Sequence, residues 1–237
     1  MTEYTSGRGQ IPLDIRFKEK PGFDLFIPGA NYEVCRSIKR IAKGIDDHNV
    51  YLWGQPGTGK SHLLHAACGL ADAQQRRVAY VPLENFTDLD PELLQDLDYQ
   101  DLVCIDDIDK ITGQAEWEQA LFHFYNRARD KNHPVLITGT ANPKALALEL
   151  PDLKSRVGWG LIYHLDPLDD HDKIIVLQQR AQIRGFDLPD DVADFLVKRV
   201  KRDLPGLIQL LDHFDNATLV EKRKLTVPFI KRLLEEK

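Results

Sequence analysis

The chain has 237 residues, of which 43% are hydrophobic and 29% charged, and a net charge of −6 at neutral pH. These values describe a globular chain of one large or two small domains, and exclude a disordered, fibrous or disulfide-framed one. The negative balance also argues against DNA binding driven by phosphate neutralisation alone. Cys35, Cys68 and Cys104 are odd in number and widely spaced, so they encode neither a disulfide framework nor a zinc site and read as small buried hydrophobes. The start has no apolar leader, and no later run approaches the roughly 20 apolar residues of a membrane span. The expectation is a cytoplasmic protein that does not touch a membrane.

Residues 1–22 read as an extended tail that ends at Pro21-Gly22. Apolar spacing then predicts a helix over 31–45, with Asn31 as its N-cap. Five short apolar runs follow, Val50–Trp53, Val78–Val81, Leu102–Ile105, Val135–Thr138 and Leu161–Tyr163, separated by helical stretches. Unbroken apolar runs signal strands buried on both faces, and strands alternating with helices signal a parallel sheet with crossover helices. Residues 23–166 therefore read as a doubly wound α/β domain with a five-stranded parallel sheet. After Pro167 the strand pattern stops. Helices are expected over 169–184, 189–200, 204–220 and 227–236, so 167–237 reads as a small all-helical domain.

Gly54-Gln-Pro-Gly57-Thr58-Gly59-Lys60-Ser61 fits the P-loop pattern and lies between an apolar strand and a helix expected over 60–73. Glycines let successive N–H groups and the helix N-terminus converge on phosphate. Lys60 is placed to reach the β- and γ-phosphates of ATP or ADP, and the Ser61 hydroxyl to ligate Mg²⁺. About fifty residues on, the third apolar run ends in Asp106 and Asp107. Asp106 suits a water-mediated Mg²⁺ partner, and Asp107 suits orienting or deprotonating an attacking water. Thr140 and Asn142 follow the fourth run. They reach the γ-phosphate if that strand lies between the P-loop strand and the Asp106 strand, and otherwise do only turn work.

The order of P-loop, Asp-Asp strand, polar strand end and helical lid resembles an AAA+ P-loop NTPase module. More locally, Gly59-Lys-Ser-His-Leu-Leu-His-Ala66, Ile105-Asp-Asp-Ile108 and Leu153-Lys-Ser-Arg-Val-Gly-Trp-Gly-Leu161 are similar to the nucleotide-binding module of the DnaA family, with Ile183–Pro189 as weaker support at the lid. The resemblance covers about residues 23–237. The chain ends just after the lid, which within that family resembles the short regulators that inactivate the initiator rather than the initiator itself.

That resemblance implies partners and roles. DnaA is one partner, and Arg156 is the arginine that faces a neighbouring subunit's nucleotide and acts in trans. A structural arginine paired with Asp152 is the alternative. The DNA polymerase III β sliding clamp is the second partner, docked through Gln10, Ile11, Leu13 and Ile15; a tail strand packed on its own domain would account for the same residues. DNA is then met only indirectly, and a homo-oligomer is possible. Arg202 is the lid arginine that reaches back to nucleotide, although Pro205 stands where the family usually has glutamate. His62, Phe26 and Ile27 are nucleotide-side candidates that ordinary packing also explains, and Trp159 reads as core. Two competing functions fit the same residues: an autonomous ATPase of the helicase-loader kind, and a clamp adaptor without chemistry.

Overall fold

The computed structural model describes residues 22–200, 203–221 and 225–235. The tail candidates Gln10, Ile11, Leu13 and Ile15, and the lid candidate Arg202, lie outside the described residues.

Helix α1 (Tyr32–Ala42) precedes strand β1 (Val50–Trp53), helix α2 (Lys60–Ala73) and strand β2 (Val78–Pro82). Strand β3 (Leu102–Asp106), helix α3 (Ala115–Asp130), strand β4 (Val135–Gly139), helix α4 (Pro151–Val157) and strand β5 (Leu161–His164) complete the α/β part. The five strands are all parallel, in the order β2-β3-β4-β1-β5. β4 therefore does lie between the P-loop strand β1 and the acidic strand β3.

Period-two alternation divides the strand side chains between two cores. Tyr51, Ile105 and Ile137 pack with Leu121, Phe124 and Val157 of α3 and α4. Leu52, Cys104 and Leu136 pack on the opposite face with Ile38, Ile41, Leu63 and Leu64 of α1 and α2. Cys35 and Cys104 are buried, and all three cysteines are free thiols. A stretch of short 3-10 turns between Leu83 and Tyr99 lies against α3 and carries no regular helix.

The remaining helices are α5 (Asp170–Ile183), α6 (Asp190–Arg199), α7 (Leu204–Glu221) and α8 (Val227–Glu235). They enclose a third core around Leu177, Val192, Leu196, Leu211, Phe214 and Ile230. Asp169 caps α5 by accepting a hydrogen bond from the Asp172 N–H at 2.8 Å. Asn31 precedes α1 without capping it. Its side-chain amide is taken by the backbone of Asp166, donating to that carbonyl at 2.9 Å and accepting from that N–H at 2.8 Å, a long-range tie stronger than a local cap. Among the described residues no helix is long and apolar enough to cross a membrane.

Candidate nucleotide site and arginine

The loop from Gly54 to Gly59 turns off β1 and feeds α2. Gly57 and Gly59 have φ of +82° and +96°, a region a side chain would strain. Lys60 is 6% exposed, and its ammonium donates to the Gly54 carbonyl at 2.9 Å and the Gln55 carbonyl at 3.3 Å. The cation is thus held over the loop by neutral carbonyl oxygens, with the Asp107 carboxyl near enough to feel its charge. The Thr58 hydroxyl donates to the Gln55 carbonyl at 2.9 Å and stiffens the same turn. Ser61 is exposed at the start of α2, where the helix N–H groups have no intrahelical acceptors.

Asp106 is 4% exposed, and each of its oxygens accepts a hydroxyl. Tyr80 donates to one at 2.6 Å and Thr138 donates to the other. Thr138 also accepts the N–H of Asp107 at 2.9 Å, so one hydroxyl ties β4 to the end of β3 twice. Burial keeps the Tyr80 phenol neutral and a donor. Its ring lies 4.0 Å from that of His65, whose basicity burial lowers. Asp107 has left-handed backbone angles (φ 59°, ψ 56°), uncommon for a residue with a side chain. Its carboxyl is pushed above the ordinary range, first by burial and then by Asp106, with Lys60 and Lys110 opposing.

Thr140 and Asn142 are otherwise engaged. The Thr140 N–H and hydroxyl both donate to the Asp109 carboxylate at 2.8 Å, while Asn142 accepts from the Lys144 N–H at 3.1 Å and caps a short turn. The β4 residue that meets the acidic strand is Thr138, which the sequence reading passed over. Its signal was available: a lone hydroxyl in a buried apolar strand, at the strand end beside Asp106.

Two elements beyond the P-loop lean on it. The Phe26 ring comes within 2.8 Å of where a Cβ on Gly59 would stand, and Ile27 is half-buried beside it in sequence. On the lid side, Pro205 comes within 2.7 Å of where a Cβ on Gly57 would stand. His62 links both sides. Its Nδ1 lies 3.2 Å from the Arg180 guanidinium of α5, which can only donate, so Nε2 carries the proton that is given to the Gly22 carbonyl at 2.9 Å. Arg180 was not singled out from the sequence, where it looks like any surface cation on a lid helix.

Arg156 sits in the last turn of α4 and faces away from this cluster, onto α3. Its guanidinium carbon is 4.0 Å from the centre of the Trp159 ring and 5.9 Å from that of Phe122. Its Nε is buried without a hydrogen-bond partner, and among the described residues Arg156 forms no ion pair, with Asp152 or otherwise. Trp159 is 42% exposed, a platform rather than the core residue its type suggested. The platform is fixed from behind. The Trp159 N–H donates to the Arg156 carbonyl at 2.9 Å, and Gly160 turns with φ +98° where a Cβ would stand 2.3 Å from the Asn49 carbonyl oxygen. The loop entering α4 is seated by Glu118 of α3, 1% exposed, whose carboxylate accepts the N–H groups of Gly113 at 2.8 Å, Glu149 at 3.2 Å and Leu150 at 2.7 Å.

Residues 17–164, well over half the chain, match the family model described as the bacterial DnaA ATPase domain. The chain belongs to that family. Residues 170–234 match the model of the lid domain of Hda. Among solved structures, domain III of the Thermotoga maritima replication initiation protein DnaA matches over 92% of this chain and 96% of its own, at 23% identity and a TM-score of 0.81. AMPPCP-bound DnaA from Aquifex aeolicus matches over 80% of this chain and 63% of its own, at 20% identity and a TM-score of 0.66. The Thermotoga maritima RuvB Holliday junction branch migration motor matches over 89% of this chain and 72% of its own, at 18% identity and a TM-score of 0.66. At these identities the solved structures establish the fold alone, an AAA+ P-loop module followed by a helical lid, and the family rests on the match over residues 17–164.

Proposed function

We propose that this chain is a nucleotide-binding regulator that offers Arg156 to ATP held by a DnaA partner and so accelerates its hydrolysis. The observation that carries the reading is the state of Arg156. It is stacked on Trp159, unpaired among the described residues, with Nε buried and without an acceptor. Cation–π stacking orients a guanidinium without neutralising it, so the charge remains available to a γ-phosphate. An arginine supplied in trans is worth about 10³ to 10⁵ in rate. The match of residues 170–234 to an Hda lid supports a regulator over an initiator.

The chain's own P-loop takes ATP or ADP on this reading. Solved DnaA structures described as bound to AMPPCP support such a ligand. Backbone N–H groups of Gly57, Thr58, Gly59, Lys60 and Ser61 would meet the phosphates at the start of α2, with the Lys60 ammonium leaving the Gly54 carbonyl for them. Phe26, Ile27, His62 and Arg202 belong to the nucleotide's far side. Oxygen donors here also fit Mg²⁺, which when bound supplies charge neutralisation at the phosphates: the Ser61 hydroxyl is exposed, and Asp106, with each oxygen already accepting a hydroxyl, suits contact through water. Asp107 is placed to hold a water. Gln10, Ile11, Leu13 and Ile15 would dock the chain on the β sliding clamp by filling an apolar groove, with DNA met only through the clamp. Such a protein works in the cytoplasm.

The test is single-turnover hydrolysis of ATP pre-bound to DnaA, with DNA-loaded clamp present. The wild-type chain should accelerate it and Arg156→Ala should not. A second reading, an autonomous ATPase, is favoured by the complete set of Lys60, Asp106 and Asp107 around the chain's own loop. It predicts hydrolysis of free ATP that Lys60→Ala abolishes and Arg156→Ala spares; that result, together with no acceleration of DnaA-bound ATP hydrolysis, would overturn the regulator.

A further inference from the structure

Holding the lid over the P-loop falls to a few contacts at its edge. Among the described residues the lid's apolar core shares no side chain with either core of the sheet, so no common interior fixes the two parts together. Helix α5 supplies contacts near both of its ends. Close to its start, the Asp172 carboxylate lies 2.8 Å from where a Cβ on Gly29 would stand, an approach that the glycine allows. Arg180 follows about 12 Å along the axis and within about 80° around it, and there it meets His62 of α2. Arg184, one turn later, gives its Nε proton to Asp212 within the lid at 3.1 Å. Arg180 is thus set apart from its neighbour by what lies across the boundary.

The chain segment from Gly22 to Asn31 runs beside the same helix and is fastened at both ends. His62 gives its Nε2 proton to the Gly22 carbonyl at 2.9 Å, and Asn31 exchanges two hydrogen bonds with Asp166, where the chain leaves the sheet for the lid. Between these ties the Phe26 ring lies 5.5 Å from the His62 ring, against Gly59. One imidazole therefore joins three pieces of the chain. It belongs to the first turn of α2, it holds the root of segment 22–31 through one nitrogen, and it takes the lid's guanidinium through the other at 3.2 Å. That last bond is charge-assisted, and both of its side chains are half-buried, where water competes less.

On the reading that the P-loop takes ATP or ADP, we infer that Arg180 is a positioning residue for that nucleotide, acting through His62. The pair pins the lid and segment 22–31 to the first turn of α2 as one roof over the phosphate loop. Pro205 at Gly57 and Phe26 at Gly59 are the parts of that roof that reach the loop itself. Without the pin the roof parts into two pieces. A bound nucleotide then leaves faster, while the loop that grips its phosphates keeps its shape.

The test is ADP binding to the full chain, by calorimetry with Mg²⁺ present, joined to hydrogen exchange without nucleotide. Arg180→Ala should weaken ADP about tenfold, and so should His62→Phe, which keeps a flat ring beside Phe26 but offers no nitrogen. The double variant should be no more than about twofold weaker than His62→Phe alone, since the two changes share one bond. Arg180→Lys, which keeps a donor, should recover most of the affinity. In the ligand-free chain, Arg180→Ala should speed exchange of the amides over 57–62 at least about fivefold and leave those of β3 at the wild-type rate, which shows that the variant is folded. Wild-type ADP affinity in Arg180→Ala, a double variant weakened by the product of the single losses, or unaltered exchange over 57–62 would each overturn the inference. A wild-type chain that takes no ADP sinks the nucleotide reading instead, and exchange in the ligand-free chain then decides the pin by itself.

Discussion

Removing the Thr138 hydroxyl should cost more stability than its single methyl-for-hydroxyl exchange suggests. In Thr138→Val the shape is kept, but two bonds vanish. The Asp107 N–H loses its acceptor at 2.9 Å, and the Asp106 carboxylate loses a donor while remaining 4% exposed. A neutral hydrogen bond contributes about 1 kcal/mol and one to a charged group about 1.5 to 3 kcal/mol. The sum is about 2.5 to 4 kcal/mol, or roughly 5 to 15 °C in thermal midpoint for a chain of this size. Tyr80→Phe removes only the charged-group bond at 2.6 Å, so its cost should be about 1.5 to 3 kcal/mol and the smaller of the two. Urea titrations of both variants against the wild type measure the difference. A Thr138→Val loss below about 1 kcal/mol, or a Tyr80→Phe loss larger than that of Thr138→Val, would refute the picture of one carboxylate latching three neighbouring strands.

Asp107→Asn should stabilise the chain at neutral pH. The Asp107 carboxyl is raised in the folded state, so its charged form is disfavoured there and its contribution is lost as pH rises through that raised value. The advantage of asparagine should therefore shrink as pH falls below that raised value and be gone below the ordinary aspartate value of about 3.9, measurable as thermal midpoints across pH. Gly57→Ala should loosen the lid, because the new Cβ meets Pro205 at 2.7 Å. Adding Pro205→Ala should recover part of the loss and leave about 1 to 2 kcal/mol of left-handed backbone strain, with amide exchange at the start of α7 as the readout. Glu118→Ala strips three N–H groups of a buried acceptor and should cost at least about 3 kcal/mol, while Glu118→Gln costs less; calorimetry on both separates the two. On the proposed function, Trp159→Ala should reduce trans-activation of DnaA-bound ATP hydrolysis about tenfold while Trp159→Phe, which keeps an aromatic face, retains most of it.

Much of the architecture is legible from residue patterns. Apolar runs such as Leu102–Ile105 read as strands because both faces are buried, and each observed strand lies within a residue of its run. The helix after Lys60 and the four lid helices follow from apolar spacing. What escapes is whatever a distant segment decides. The amide of Asn31 is claimed by Asp166, 135 residues away, and the Thr140 hydroxyl by Asp109 across the sheet. The turns over 83–99 lack a helical period because they follow the contour of α3. Arg180 carries no local mark, since its meaning comes from His62, which the fold brings to it, and the lone hydroxyl of Thr138 in its apolar strand gains its meaning only from Asp106 on the neighbouring strand.

Among the described residues the Arg156 and Trp159 side chains stack on Phe122 and Arg129 of α3 and on each other, with Glu118 and Tyr125 anchoring the backbone around them. Among the described residues no contact of the guanidinium runs through the P-loop, the Asp106 latch or the lid. The direction in which the arginine points is thus set by α3 and the turn into β5 rather than by contacts with the chain's own pocket. If Arg156 acts in trans as proposed, control would fall on which partner can reach that face rather than on where the guanidinium points.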